Sequence, residues 1–157
     1  MTTSYEKDIL HLERFLPYRL SVLTNTVSRM LSQVYASQFN LTTPEWRVMA
    51  VVMRFPGLSA AEVAERTAMD KVAVSRAVAR LLEAGRLVRR FADEDRRRSI
   101  LELSPEGREI YRQITPLAKA LEADLLAVLS PGEKVHLDVL LEKLFDHART
   151  IAAQQTA

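Results

Sequence analysis

Cysteine is absent from the 157 residues, which excludes disulfide frameworks, thiolate catalysis, thiol-based redox sensing and Cys-rich zinc sites. Glycine is nearly as scarce. Four glycines leave little room for a phosphate-cradling loop, and neither a Ser-His-Asp set nor a metal set stands in the chain, so an enzyme is not expected. No apolar run approaches the ~20 residues that cross a bilayer. The N-terminus, MTTSYEKDILHLERF, is charged and lacks the apolar core of a signal peptide, so the expected location is the cytoplasm. Histidine is limited to His11, His136 and His147. The last two share a helical face but stand ~16 Å apart along its axis, and ligands at ~2 Å from one ion cannot span that. No metal and no cofactor is expected.

An apolar content of 48% with 27% charged residues is ordinary for a folded domain with a proper core. The chain is organised around residues 59–103. Ser59-x-x-Glu62 has capping-box spacing and leads into a short helix carrying Ala60, Ala61, Val63 and Ala64. Asp70 can cap a second helix, whose apolar positions Val74, Ala77, Val78, Leu81 and Leu82 follow helical spacing, and Gly85 stops it. On the other side of that helix lie the donors Lys71, Ser75, Arg76 and Arg80.

Residues 86–91 and 99–103 read as two strands with Leu87, Ile100, Leu101 and Leu103 as apolar members, joined by Ala92-Asp93-Glu94-Asp95-Arg96-Arg97-Arg98, which cannot bury itself. Helix, turn, helix and basic hairpin describe a winged helix-turn-helix whose second helix enters the DNA major groove. From Lys71 to Arg98 there are nine Lys/Arg against four Asp/Glu, a local +5, whereas the whole chain is only +2. Positive charge is concentrated where DNA would lie.

The segment resembles the MarR family of bacterial transcription regulators. The likeness is carried by the helix from Asp70 to Gly85 (DKVAVSRAVARLLEAG), by the wing's Glu94-Asp95-Arg96-Arg97-Arg98 and by Leu101-Glu102-Leu103-Ser104-Pro105-Glu106-Gly107. One departure is that Ala92 stands where the family's wing often opens with Asp. The resemblance implies a mainly α fold with a small two-stranded β wing, in a single 1–157 domain. Its winged helix-turn-helix lobe spans 42–103, and its dimerisation helices span 5–38 and 105–152. The expected DNA-facing set is Ser59, Lys71, Val74, Ser75, Arg76, Arg80, Arg96, Arg97 and Arg98. Arg76 suits a bidentate guanine contact, and Lys71 and Ser75 suit base edges near the helix start. Val72 or Val74 suits a thymine methyl, and Arg80 suits a phosphate. Family likeness places Arg97 in the minor groove, with Asp95 orienting a wing arginine.

The flanks carry long apolar stripes. In 5–38 these are Ile9, Leu12, Leu16, Leu20, Leu23, Val27, Met30 and Val34, with Pro17 expected to interrupt the helix. Thr42-x-x-Glu45 caps a further helix bearing Trp46, Met49, Ala50 and Met53 on one side, which Phe55-Pro56-Gly57 ends. Ser104-Pro105 opens another helix that Pro116 should interrupt, and Ser130-x-x-Glu133 opens the last, striped by Leu137, Leu141, Leu144, Ala148 and Ile151. Long helices of this kind need tertiary cover, and a second subunit supplies it. The partners expected are therefore a second copy of the chain and a pseudo-palindromic duplex with half-sites about one helical turn apart.

The resemblance also implies a small aromatic carboxylate or phenolic effector, bound between the dimerisation helices and the lobe. Arg14, Tyr18, Trp46, Arg47 and Met53 would border that cleft, with Arg14 or Arg47 pairing a carboxylate. The function expected is a homodimeric repressor released by such a ligand. The alternative is an effector-independent DNA-binding or architectural protein.

Overall fold

The structure, a computed structural model, describes residues 9–67, 69–91 and 99–155. After a 3-10 turn at Leu12–Arg14 come α1 (Leu16–Phe39), α2 (Thr43–Arg54), α3 (Ala60–Arg66), α4 (Lys71–Glu83), β1 (Leu87–Phe91), β2 (Ser99–Leu103), α5 (Pro105–Leu126) and α6 (Pro131–Gln155). The chain divides into two compact units, Met1–Ala118 and Lys119–Ala157. The wing residues Asp95, Arg96, Arg97 and Arg98 lie outside the described residues.

Helix starts follow local chemistry. Thr42 N–H donates to Glu45 Oε2 at 2.6 Å and Glu45 N–H to Thr42 Oγ1 at 3.4 Å, so the box starts α2. Ser59 N–H donates to Glu62 Oε2 at 2.7 Å and Glu62 N–H to Ser59 Oγ at 3.3 Å, which starts α3. α4 opens with Ala73 N–H donating to Asp70 Oδ2 at 3.0 Å. It closes with Gly85 at φ +69°, Arg86 N–H on Leu81 O at 2.8 Å and Gly85 N–H on Leu82 O at 3.1 Å. That bond pair turns the chain into β1 and satisfies two of the carbonyls a helix end leaves over.

Of the two prolines expected to interrupt helices, Pro17 does and Pro116 does not: the 3-10 turn at Leu12–Arg14 ends in an extended Phe15 before α1 begins. Pro17 stands in the first turn of α1, where its missing N–H has no intrahelical acceptor to lose. The helix begins at Leu16. Pro116 lies inside an unbroken α5. It and Arg112, whose carbonyl loses its donor, are both exposed, so water can take the orphaned bond. Ile114, on the other face, stays buried in the core.

The first unit's core gathers Tyr35 and Leu41 with Val48, Met49 and Val52 of α2, Val63 of α3, and Val74, Ala77, Val78 and Leu81 of α4. Leu87, Leu101, Leu103 and Ile114 complete it. In the antiparallel wing Leu87 pairs with Leu103, Arg89 with Leu101 and Phe91 with Ser99. Leu101 N–H also donates to Leu58 O at 2.8 Å, tying β2 to the loop before α3. Arg86 anchors the wing's base: its Nη2 donates to Phe39 O at 2.8 Å, and its own carbonyl accepts from Ser104 N–H at 3.1 Å. The end of α1 and the start of α5 thus meet the strand that leaves the recognition helix.

In the second unit, Ser130 N–H donates to Glu133 Oε2 at 2.8 Å and Glu133 N–H to Ser130 Oγ at 3.3 Å, starting α6. The Ser130 backbone N–H, and then its hydroxyl, hold the Glu133 carboxyl below its ordinary value. Every residue of α6 is exposed in the single chain. Val135, Leu137, Val139, Leu140, Leu141, Leu144, Phe145 and Ile151 are its exposed large apolar side chains.

Candidate nucleic-acid interface

α4 has two chemically opposite sides. Val74, Ala77, Val78 and Leu81 are buried, whereas Lys71, Val72, Ser75, Arg76, Ala79 and Arg80 are exposed. The apolar spacing forces this outcome, because once one stripe enters the core the intervening donors must face solvent. Lys71 and Ser75 stand one turn apart, as do Arg76 and Arg80. Asp70 already caps the helix N-terminus, and the positive end of the helix dipole sits beside Lys71, a favourable setting for phosphate.

A groove of about 390 Å³ borders this face where α3, α4 and β1 meet, lined by Ala60, Ala61, Ala64 and Glu65 of α3, by Lys71, Ser75 and Ala79 with the stripe residues Val74, Val78 and Leu82 of α4, and by Arg89 of β1. Helix and wing therefore converge on one concavity. Arg89 was not among the residues expected to face DNA. The signal was available, since Leu87 is buried and strand side chains two apart share a face. The other arginine of β1, Arg90, points elsewhere and pairs through Nε with Glu102 Oε2 at 3.0 Å.

Of the residues expected to meet DNA, Lys71, Ser75, Arg76 and Arg80 lie on the exposed side of α4. Ser59 is half-buried and occupied with the α3 cap. Val74 requires correction. At 1% exposure it belongs to the core, because it shares the stripe of Ala77, Val78 and Leu81. Val72, 55% exposed, is the valine available for a thymine methyl.

The five candidate effector residues are dispersed in their environments. Arg14 and Tyr18 are exposed and Arg47 is half-buried. Met53 follows the buried Met49 by one turn but stands in the last turn of α2, where it is exposed. Trp46 is half-buried and stacked on both sides, by Tyr35 at 6.0 Å between centroids and by Tyr111 at 5.4 Å. Its faces are occupied, and this aromatic pile ties α1, α2 and α5 together. Tyr35 escaped notice in the sequence although it is buried and its hydroxyl donates to Thr43 Oγ1 at 2.9 Å. Its spacing of four from Leu31, which packs against the same core, was the readable sign.

Comparison with known proteins bears on this arrangement. A sequence profile described as the MarR family matches residues 39–98. The HTH-type transcriptional repressor Rv2887 of Mycobacterium tuberculosis is 29% identical over 131 residues, covering 83% of this chain and 91% of that protein. A MarR/EmrR family transcriptional regulator from Acinetobacter sp. ADP1 superposes with a TM-score of 0.83 at 27% identity, over 90% of this chain and 99% of that one. BpsR of Bordetella bronchiseptica, whose DNA binding is regulated by 6-hydroxynicotinic acid, superposes with a TM-score of 0.76 at 23% identity, over 88% and 98% of the two chains. The last likeness is one of fold.

Proposed function

We propose that the chain is a member of the MarR family of winged-helix transcription regulators, which it resembles in sequence profile, relatives and fold, and that it is a homodimeric repressor of a pseudo-palindromic operator, released by a small aromatic acid or phenolic ligand. The observation that carries the DNA-binding part is the split of α4 into a buried apolar stripe and an exposed side bearing Lys71, Ser75, Arg76 and Arg80, with Arg89 of the wing lining the same groove as Lys71 and Ser75.

Roles follow from chemistry. Arg76 offers the planar fork that matches guanine O6 and N7, Lys71 and Ser75 reach base edges near the helix start, and Val72 offers a methyl surface to thymine. Arg80, a turn further back, fixes register on phosphate. In the wing, family likeness assigns Arg97 to the minor groove and Asp95 to orienting a neighbouring arginine, with Arg96 and Arg98 adding positive charge near phosphate.

Two copies are required because one recognition helix offers few base contacts, and the exposed apolar residues of α1, and separately those of α6, offer surfaces for pairing. The effector acts by population shift: it prefers a dimer whose recognition helices are wrongly spaced, and it releases DNA only to the extent of its differential affinity for the two states. Arg14 and Arg47 are the cations that would pair its carboxylate, with Tyr18, Trp46 and Met53 nearest in role. That a regulator of the same fold answers to 6-hydroxynicotinic acid supports an acid of this class.

Selecting bound duplexes from a random pool tests the reading. A two-fold symmetric consensus is expected, and Arg76→Ala should relax one position in each half-site by about 1–3 kcal/mol while leaving the rest of the consensus in place. Equal affinity for that consensus and for random duplex would end the regulator reading. Titrating aromatic acids against the fluorescence of Trp46, the single tryptophan, tests the effector. No change in fluorescence or in operator affinity would leave a DNA-binding protein without one.

A further inference from the structure

The inner face of the wing does not end where the core ends. Leu87, Arg89 and Phe91 alternate onto one face of β1, with Leu103, Leu101 and Ser99 opposite them. At the base this face is core: Leu87 and Leu101 are each 1% exposed and Leu103 is 4% exposed. One step out, Arg89 leaves the core and borders the groove shared with Lys71 and Ser75. Phe91 lies a further ~7 Å along the strand on that same face, and it is 69% exposed. No other aromatic side chain among the described residues is as exposed.

An exposed benzyl group on a basic surface calls for a specific partner. Arg89 and Arg90 adjoin it in sequence, and the segment from Lys71 to Arg98 carries a net +5, so the partner that this surface attracts is a polyanion. A polyanion that also offers apolar surface beside its phosphates is nucleic acid, through deoxyribose C–H faces and base edges at the groove mouth.

We propose that Phe91 is an apolar DNA contact, packing its ring against the sugars and base edges of the strand that runs between the recognition helix and the wing. The proposal rests on the DNA-binding reading above and adds to it a contact that is not electrostatic. α4 and the arginines fix register through charge and hydrogen bonds, whereas Phe91 contributes by desolvation. Its energy does not depend on released counterions.

Salt dependence separates the two kinds of contact. Affinity of the full chain for its selected duplex is measured across a series of salt concentrations for wild type, Phe91→Ala, Phe91→Trp and Arg89→Ala, with dimerisation and urea unfolding checked for each. Phe91→Ala should weaken binding by about tenfold, the scale of one lost aromatic contact with nucleic acid, with the slope of log K against log salt unchanged. Phe91→Trp should restore it. Arg89→Ala should lower the slope by about one unit.

Affinity of Phe91→Ala within twofold of wild type at every salt concentration overturns the proposal. So does a loss that Phe91→Trp fails to restore, a fall in slope like that of Arg89→Ala, or a loss that tracks weakened dimerisation, which makes Phe91 a protein contact. If wild type itself shows no preference for the selected duplex, the regulator reading fails first and the proposal falls with it. Because Phe91 is exposed, an unchanged unfolding midpoint accompanies each expected result.

Discussion

Gly85 and Gly107 stand at either end of the wing, and different forces hold each in place. Gly85 adopts φ +69°, but a Cβ there would meet nothing within 4 Å, so only backbone conformation constrains it. Gly107 has ordinary helical geometry in the first turn of α5, where its N–H donates to Ser104 Oγ at 3.0 Å, yet a Cβ would stand 2.1 Å from Arg86 O. That carbonyl cannot retreat freely, since it accepts from Ser104 N–H and its residue is tied to Phe39 through Nη2. Gly85→Ala should cost about 1–2 kcal/mol, and Gly85→Asn less, because Asn tolerates the left-handed region. Gly107→Ala should cost about 3 kcal/mol or more, the overpacking range at an immobile neighbour, with no side chain rescuing it. Urea midpoints at constant m-value measure both. Equal losses at the two sites would contradict the steric argument. At this scale the sequence was partly legible. Gly85 announced itself as a helix stop, while Gly107 stood in a motif whose reason, a carbonyl 21 residues earlier, no local pattern displays. Val74 failed for the opposite cause. The spacing already placed it in the stripe of Ala77, Val78 and Leu81, so counting it among the DNA-facing residues set chemistry against periodicity, and periodicity won.

Elements were read best where their limits are set within a few residues. The boxes at Thr42, Ser59 and Ser130 and the caps at Asp70 and Ser104 involve partners three residues apart, and each stands where its helix begins. Prolines were read unevenly, because their effect depends on where a helix starts and which face is wet. Pro17 became a first-turn residue once α1 began at Leu16, and Pro116 was tolerated on an exposed face. The α4 cap offers a test that joins element to function. Asp70 is exposed and its carboxylate accepts only the Ala73 N–H among the bonds described. Asp70→Ala should cost about 1 kcal/mol, with hydrogen exchange quickening first at Ala73 and Val74. Asp70→Ser should recover most of it, since a hydroxyl caps as well. Operator affinity should fall with the Ala variant even though one negative charge beside the phosphates has gone, because a frayed first turn misplaces Lys71 and Ser75. Tighter binding by Asp70→Ala would mean that charge repulsion outweighs preorganisation at this helix end.

For the whole molecule, the unanswered quantity is apolar surface. α6 carries eight large apolar side chains with exposures from 37% at Leu137 to 64% at Phe145, and α1 exposes Leu16, Tyr18, Leu20, Val22 and Leu23 besides. Scattered exposed apolar residues are normal, but a monomer seldom leaves such a run on one element. At about 25 cal/mol per Å² of apolar surface removed from water, even half-burying these groups in a second copy offers a stabilisation large enough to decide the state of the chain. This part of the fold was legible as stripes in the sequence but not as a destination, since periodicity says that a face is covered and not by what. If a second copy covers it, folding and association are linked, and the unfolding temperature must rise with protein concentration. Leu140→Lys and Phe145→Asp place charges at 57% and 64% exposed positions, where a lone chain tolerates them within ~0.5 kcal/mol and a buried interface does not. Sedimentation should therefore show wild type as a dimer and these variants shifted toward monomer. The variants should lose concentration dependence of unfolding and lose operator affinity in proportion, while their far-UV circular dichroism stays helical. A wild-type chain that sediments as a monomer at micromolar concentration, or variants that bind the operator as wild type does, would show that these helices serve something other than pairing. The two-fold reading of DNA would then have to be abandoned with them.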